Sequence, residues 1–128
     1  MRHQPRAFGQ AGESEAERFL RRKGYRILGR NVRTARGELD LVAQQADCLV
    51  FVEVKSRRTT AYGGASYAVH NRKQHRLVRL AAQYLAQRRL HDLPCRFDVI
   101  LCKGGDAKPE ELEHIENAFE VPGDDLRW

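Results

Sequence analysis

Two charged residues near the middle of the chain have types and spacing that could support catalysis. Glu53 interrupts an apolar segment, and Lys55 follows two residues later. Residues two apart on a β-strand lie on the same face, about 6.6 Å apart along the strand. A buried, ionised carboxylate without a partner costs several kcal/mol, so Glu53 must be paired, protonated or bound to a metal ion. A Glu-x-Lys pair is by itself equally typical of an ion pair at a strand end.

A second carboxylate favours the metal-binding interpretation. Asp40 lies in the preceding strand, and the turn at Gln44–Asp47 predicts a hairpin that brings Asp40 close to Glu53. Two neighbouring carboxylates repel each other unless a cation lies between them, and oxygen ligands of this kind suit Mg²⁺ or Mn²⁺. Such a metal polarises a phosphoryl oxygen and lowers the pKa of a bound water, and Lys55 would orient that water or stabilise the transition state. The reaction predicted is phosphodiester hydrolysis.

The elements that must position these residues alternate between helix and strand. Helices are predicted from about Gln10 to Lys23, ended by Gly24, and around the apolar stripe Leu77, Leu80, Ala81, Tyr84 and Leu85. Strands are predicted at Tyr25–Val32, Glu38–Ala43, Cys48–Ser56, Arg96–Cys102 and Leu112–Val121. The third of these segments has apolar residues at both odd and even positions, as in a central strand covered on both faces. The order α-β-β-β-α-β-β predicts an α/β domain of three layers, α-β-α, with a central mixed sheet.

Length and composition indicate one compact domain. The 128 residues are 41% hydrophobic and 31% charged, which suits a single domain over 1–128 with a short acidic tail at about 122–128. No apolar run approaches the roughly 18 residues of a membrane span, and the basic N-terminus lacks the apolar segment of a signal peptide. The three cysteines form no C-x-x-C pair. We therefore expect a reduced, cytoplasmic protein with no membrane partner.

The charge distribution predicts a polyanionic partner. Residues 1–103 hold 21 Lys and Arg against 9 Asp and Glu, a net +12, whereas residues 104–128 hold 2 against 8, a net −6. From Arg18 to Arg36 there are eight basic residues and no acidic one, and from Lys55 to His91 there are nine, again with no acidic one. Solvated surfaces usually mix both signs, so nucleic acid is the expected polyanion. The residues assigned to nucleic-acid contact are Arg57, Arg58, Lys73, Gln74 and Arg76.

These motifs resemble the PD-(D/E)xK nuclease superfamily, and within it the bacterial YraN-like predicted endonucleases, which are related to archaeal Holliday junction resolvases. The matching stretches are Ala11-Gly12-Glu13, Gly24-Tyr25-Arg26-Ile27-Leu28, Arg30-Asn31, Gly37–Ala43, Leu49–Arg57, Arg72-Lys73-Gln74, Arg76-Leu77, Tyr84-Leu85 and Arg96–Val99. They cover nearly the whole chain in order. The resemblance implies a restriction-endonuclease-like fold, a metal-dependent endonuclease and branched DNA as a substrate. A symmetric four-way junction requires two active sites, hence a homodimer.

The resemblance also implies roles for single residues. It assigns metal binding to Asp40 and Glu53, with the Val54 carbonyl as a further ligand, and the catalytic lysine to Lys55. Resolvase-like members add a glutamate from the first helix, about three turns before the Gly-aromatic pair. Glu13 has this spacing from Gly24 and falls at the edge of the apolar stripe, whereas the rival, Glu17, rotates toward solvent. Glu13 is therefore the predicted catalytic and metal-binding glutamate.

The sequence leaves several alternatives open. Glu38 either joins the metal site or lies exposed at its strand start, and Asp98 has either a structural hydrogen-bonding role or a role in the site. The segment Tyr62–Val69 only partly matches the family, and Leu39 replaces the proline of the motif. Two other functions compete with the nuclease. One is a nucleic-acid-binding module with weak or partner-dependent catalysis, and the other is a structural protein in which Asp40, Glu53 and Lys55 form a buried ion-pair network.

Overall fold

Two helices and five strands make up the computed structural model of the chain. It describes the backbone of residues 3–57, 71–90, 92–104 and 109–119, and the side chains of 11–56, 73–90, 92–104 and 109–119. The elements are α1 (His3–Arg22), β1 (Arg26–Thr34), β2 (Gly37–Gln45), β3 (Cys48–Arg57), α2 (Asn71–Arg88), β4 (Cys95–Lys103) and β5 (Glu111–Ile115). The predicted element order and the α/β class are confirmed.

The five strands form one mixed sheet in the order β1-β2-β3-β4-β5. Tight turns at Ala35–Arg36 and Ala46–Asp47 join β1, β2 and β3 as antiparallel neighbours, and β4 pairs antiparallel with β5. β3 and β4 are parallel, with α2 in the connection between them, because parallel neighbours need a crossover. β3 is therefore the central strand, as its apolar pattern predicted.

The two helices pack against opposite faces of the sheet. On one face, Ala16 and Leu20 of α1 contact the apolar side chains of β2, β3 and β4. On the other, Leu77, Leu80 and Tyr84 of α2 belong to the cluster built on the remaining apolar side chains of the same strands. Burial of an aliphatic or aromatic side chain stabilises a fold by about 1.5–3 kcal/mol, so these two layers fix the central strands from both sides.

The first helix is anchored at both ends of its described part. Gly24 takes a φ of 92°, and the Tyr25 amide donates to the Leu20 carbonyl at 3.0 Å, so the predicted glycine cap is confirmed. At Gly12 the helix approaches the sheet so closely that a Cβ would lie 2.6 Å from Ser56 Oγ and 3.3 Å from Cys102 Sγ. The absence of a side chain at Gly12 therefore lets α1 pack closely on the carboxyl end of β3.

Some element boundaries differ from those predicted. Helix α1 begins at His3 rather than about Gln10, and β1 runs from Arg26 to Thr34 rather than from Tyr25 to Val32. The last strand, β5, is short and ends at Ile115, whereas the sequence predicted an extension to Val121. The Asn117 amide donates to Asp98 instead of continuing the ladder, and the positive φ of Asn117 (50°) turns the chain there.

Asp98 has the structural role that was one of its two predicted alternatives. Its side chain is almost fully buried and accepts hydrogen bonds from Arg96 Nε and Nη2, from His114 Nε2 and from the Asn117 amide. Burial raises the pKa of this carboxyl, but the bonds from His114, Arg96 and Asn117 outweigh burial and hold the pKa below its usual value. The His114 Nδ1 lies 2.8 Å from Lys23 Nζ, a donor, so His114 accepts at Nδ1 and donates at Nε2. This network joins β4 to β5 and to the end of α1.

None of the helices in the described ranges is long and apolar enough to cross a membrane. The three cysteines are free thiols. Cys102 is buried, and Cys48 and Cys95 are partly exposed.

Candidate active site

The candidate active site lies where β2 and β3 separate. The ladder between them runs from Gln45↔Cys48 to Leu41↔Val52, and the next pair in the same register would be Asp40 and Glu53. Instead of a backbone pair, Asp40 Oδ2 accepts a hydrogen bond from the Val54 amide at 2.9 Å. The carboxylate thereby satisfies a backbone donor that the parting strands would leave unpaired. The hairpin predicted from the sequence does bring Asp40 to the strand that carries Glu53.

Glu53 is paired with a lysine from the second helix. Lys73 Nζ lies 2.6 Å from Glu53 Oε2, and the Glu53 side chain is only 12% exposed. Glu53 shares its strand face with Phe51, which packs under α2, so the alternation of β3 turns it toward the start of that helix. Lys73 was predicted to contact nucleic acid. The structure brings it to one of the two central carboxylates, and its contact with nucleic acid remains a prediction.

Glu13 reaches the same region from α1. It is half-buried, and its carboxyl is hydrogen-bonded by the side chain of Asn31 in β1. Asn31 has a φ of 51°, a left-handed conformation that asparagine tolerates better than most residues. Burial raises the pKa of Glu13, and the negative charge of Glu53 adds to that increase. The close approach of Gly12 to Ser56 explains why a residue of α1 can reach the carboxyl end of β3.

Glu17, the rival for this position, lies elsewhere. Its carboxylate bonds Arg21 at 2.9 Å and Arg30 at 3.3 Å, so it belongs to an ion-pair group on the outer side of the helix. Glu38 is exposed and lies 3.8 Å from Arg33, although its negative charge, like that of Glu53, adds to the raised pKa of Glu13. The geometry thus favours Glu13 over both, and its catalytic role remains a prediction.

The electrostatics of Asp40 single it out within the site. Burial, and then the negative charges of Glu53 and Glu13, raise its pKa from 3.8 to about 7, although the Val54 amide and the charge of Lys73 act in the opposite direction. A carboxyl group whose pKa is raised by burial and by neighbouring negative charges is typical of sites that bind a cation or exchange a proton. Asp40 therefore holds its proton up to neutral pH when no cation is bound.

The oxygen donors present here fit a hard divalent cation in type and in number. Mg²⁺ is usually held by one or two carboxylates together with several waters, and Asp40 and Glu53 supply such a pair. Among the side chains that the structure describes, however, no three His, Cys, Asp or Glu residues are grouped closely enough to hold a metal. Lys73 draws Glu53 toward α2, and Asn31 bonds Glu13. The three predicted carboxylates therefore lie near one another but do not converge on one position.

The remaining predicted site residues fall into two groups. Lys55 and Val54 are partly buried on β3, and Gln74 is partly buried on α2. The catalytic role of Lys55 and the ligand role of the Val54 carbonyl remain predictions. Arg76 is exposed on α2, with its guanidinium against the hairpin at Gly37. The side chain of Arg57, all of Arg58, the segment Tyr62–Val69 and the acidic tail at 122–128 lie outside the described residues.

Two features of the site were missed by the reasoning from sequence. Asn31 was noted only as part of a matching dipeptide, yet it bonds Glu13, and an asparagine inside a strand pattern was the available signal. Arg36 and Arg79 were counted only as part of the basic charge. With His75 and Arg76 they line one pocket between the β1–β2 turn and α2, which no local sequence pattern predicts.

The fold and the site define an α/β domain in which the carboxylates of Asp40, Glu53 and Glu13 lie near the carboxyl end of the central strand. The model of "Uncharacterised protein family UPF0102" matches residues 12–102, and the chain belongs to this family, the YraN-like family that its motifs indicated. The matched residues include all the carboxylates of the site and both lysines, Lys55 and Lys73.

Relatives from other bacteria match over most of their lengths. A UPF0102 protein of Symbiobacterium thermophilum is 49% identical over 114 residues, 89% of this chain and 97% of the relative. One of Syntrophotalea carbinolica is 46% identical over 125 residues, 96% of this chain and 99% of the relative. Among solved structures, Pyrococcus furiosus SfsA in complex with Ca²⁺ is similar with a TM-score of 0.35 and 16% identity, over 94% of this chain and 65% of that one. A likeness this distant carries no argument about fold or ligand.

Proposed function

We propose that this protein is a Mg²⁺- or Mn²⁺-dependent endonuclease that hydrolyses phosphodiester bonds in DNA on a restriction-endonuclease-like fold. The observation that carries the proposal is the position of Asp40. Its carboxylate lies at the parting of β2 and β3, where burial, and then the negative charges of Glu53 and Glu13, raise its pKa to about 7. Acidic groups held together at this energetic cost, within a basic surface, suit a site that binds a cation and an anionic substrate together.

In this proposal Asp40 and Glu53 hold the cation, and Glu13 is the third carboxylate. When bound, the cation supplies Lewis-acid polarisation of the phosphate and increases the acidity of a water molecule. Asp40 must give up its proton for binding, so apparent cation affinity rises with pH up to about 7 and levels off above it. The Val54 amide keeps the Asp40 carboxylate at the mouth of the cleft throughout.

The two lysines then have separate roles. Lys55 lies on β3 two residues after Glu53 and would stabilise the negative charge that develops on the phosphate. Lys73 neutralises Glu53 when no cation is present. With a cation held by Glu53, the Lys73 ammonium would be available to a phosphate oxygen of the substrate. Glu53, whose side chain is 12% exposed, would then have a positive partner in either state.

Branched DNA is the proposed substrate class. It rests on the resemblance of the chain to a family related to Holliday junction resolvases. Cutting both strands of a symmetric four-way junction needs two sites, so this activity requires a homodimer. The basic residues supply attraction to phosphates and no base recognition.

The test is a cleavage assay on labelled four-way, flapped, single-stranded and linear duplex DNA, with Mg²⁺, with Mn²⁺ and with a chelator. We expect metal-dependent cutting that Glu53→Gln and Asp40→Asn each reduce at least 100-fold. The matched control is Glu111→Gln, which neutralises an exposed carboxylate on β5. Cutting that survives both site variants, or that proceeds in the chelator, contradicts the proposal.

A second candidate is a nucleic-acid-binding module of the same fold. It is favoured by the Lys73–Glu53 ion pair and by the absence of a closed three-ligand group among the described side chains. This alternative predicts binding to the same DNA substrates without cutting under any metal condition. Binding would weaken steeply as the salt concentration rises.

A further inference from the structure

The pocket between α2 and the β1–β2 turn is lined by arginine and histidine side chains. Arg36, His75, Arg76 and Arg79 line a cavity of about 410 Å³, a size within the range of about 300–1,000 Å³ for ligand sites. Every one of these side chains presents nitrogen donors, and no carboxylate is among the described residues that line it. An open pocket of this composition selects for an anion.

The arginines of this pocket differ from others on the surface in lacking counter-ions. Elsewhere, Arg18, Arg21 and Arg30 are each paired with a glutamate of α1. Within the described part of the chain, no carboxylate forms an ion pair with Arg36, Arg76 or Arg79. Three converging guanidinium groups repel one another, and an anion between them removes that repulsion. The guanidinium group also matches a phosphate by paired hydrogen bonds.

Gly37 leaves room for the Arg76 guanidinium at the edge of the pocket. A Cβ on Gly37 would lie 2.9 Å from Arg76 Nη2, so only the missing side chain lets this guanidinium lie against the hairpin. Gly37 also has a φ of 155°, which L-residues rarely adopt. Arg76 thus lies against β2, while Arg36 on the turn and Arg79 on the next turn of α2 complete the lining.

The pocket lies beside the carboxylate site and on the same face of the sheet. Lys73, which bonds Glu53, precedes His75 by two residues and Arg79 by six, about 3 and 9 Å along the helix axis. Asp40 follows Arg36 by four residues of β2, about 13 Å along the strand. Consecutive phosphates of one strand advance about 3.4 Å along a duplex axis, so the separation corresponds to one to a few nucleotides.

We infer that this pocket is a phosphate-binding subsite that holds the nucleic-acid backbone one to a few nucleotides from the bond at the carboxylate site. The inference rests on the proposed function, since it takes nucleic acid as the ligand. Its lining residues Arg36, Arg79 and His75 were not among the residues assigned to nucleic acid from the sequence. The subsite fixes the register of the strand relative to Asp40 and Glu53, because phosphate contacts position a protein without reading bases.

The test measures binding of a fluorescein-labelled 20-base-pair duplex in a chelator, where cleavage plays no part. The variant is Arg36→Gln/Arg79→Gln, which leaves the Arg76–Gly37 contact in place. The control is Arg22→Gln/Arg26→Gln, which removes the same charge from exposed residues near the opposite end of β1. Thermal melts of both variants establish that they are folded.

We expect the pocket variant to bind at least 10-fold more weakly at 0.1 M salt and to reduce the slope of log K against log salt by about 1 to 2. The control should lose less than 3-fold. Equal losses in the two variants, or no duplex binding by the wild type, overturn the inference. A pocket that binds polyglutamate but leaves duplex affinity unchanged in the variant is an acidic-peptide site, which also overturns it.

The outcome is separable from that of the proposed function. If the protein cuts no DNA but the pocket variant loses duplex affinity selectively, the subsite stands and the nuclease fails. If the protein cuts DNA and the pocket variant keeps the affinity of the wild type, the nuclease stands and the subsite fails.

Discussion

Replacing Asp40 by asparagine should stabilise this protein when no metal is present. The amide oxygen of asparagine can still accept the hydrogen bond from the Val54 amide, so the substitution removes the charge and keeps the contact. What it removes is the repulsion from Glu53 and Glu13 and the burial of a negative charge. In the competing interpretation, where Asp40 is part of a stabilising ion-pair network, the same substitution should destabilise the protein.

The magnitude follows from the pKa. Asp40 titrates at about 7 in the folded protein and near 3.9 when unfolded, a difference of about 3 pKa units, each equivalent to about 1.36 kcal/mol. Between pH 4 and 7 the folded state binds more protons than the unfolded state, so wild-type stability falls as the pH rises through this window and stays low above it. The penalty is about 1 kcal/mol at pH 4.5 and about 4 kcal/mol at pH 8, the latter an upper value.

The assay is a pair of thermal melts in chelator at pH 4.5 and pH 8. A chain of 128 residues gains about 4 °C in Tm per kcal/mol. Asp40→Asn should therefore raise Tm by up to about 15 °C at pH 8 and by only about 4 °C at pH 4.5. The matched control, Asp92→Asn, neutralises an exposed carboxylate and should shift Tm little at either pH. A lower Tm for Asp40→Asn at pH 8 would refute this reasoning and favour the ion-pair network.

Three further substitutions test other parts of the structure. Lys73→Gln removes the partner of Glu53, so it should lower the free energy of unfolding in chelator by about 1 kcal/mol. It should also increase the rise in Tm on adding Mn²⁺, because Lys73 no longer competes with the cation for Glu53. An unchanged rise in Tm would show that Lys73 does not affect cation binding. Gly12→Val places a branched side chain against Ser56 and Cys102, so denaturant unfolding should show a loss of at least about 2 kcal/mol, and a wild-type midpoint would show that α1 can move away at little cost. Ala46→Gly relieves the positive φ of 54° in the β2–β3 turn and should stabilise by about 0.5–1 kcal/mol in the same assay, whereas destabilisation would mean that the extra backbone freedom of glycine dominates.

Much of the fold was predictable because it depends on local pattern. The two-sided apolar run of β3 identified the central strand, the stripe of α2 identified a helix, and Gly24 marked the end of α1. The bounds of β1 and β5 were predicted less accurately. Both are edge strands of the sheet, in which exposed residues alternate with partly buried ones, so their apolar patterns are weak.

The proximity of the candidate residues was predictable, and their contacts were less so. Asp40, Glu53 and Glu13 were predicted from spacing and from family motifs, and the structure brings them to one region, while their catalytic and metal-binding roles remain predictions. The ion pair between Glu53 and Lys73 was not, because it joins two elements separated by a long loop, and sequence spacing says nothing about distance across it. The bond from the Val54 amide to Asp40 was also missed, because it arises only where the ladder stops.

That last bond makes one backbone proton a reporter of the site. The Val54 amide of β3 has a side-chain acceptor whose position depends on what else the carboxylate binds, while the backbone ladder between Leu41–Gln45 of β2 and Cys48–Val52 of β3 does not. Any ligand that draws on Asp40 changes the shielding and exchange rate of this amide, and the amides of Val50 and Val52 provide an internal reference. Occupancy of the cleft can therefore be followed by NMR at one resonance, without a label on the ligand and without turnover.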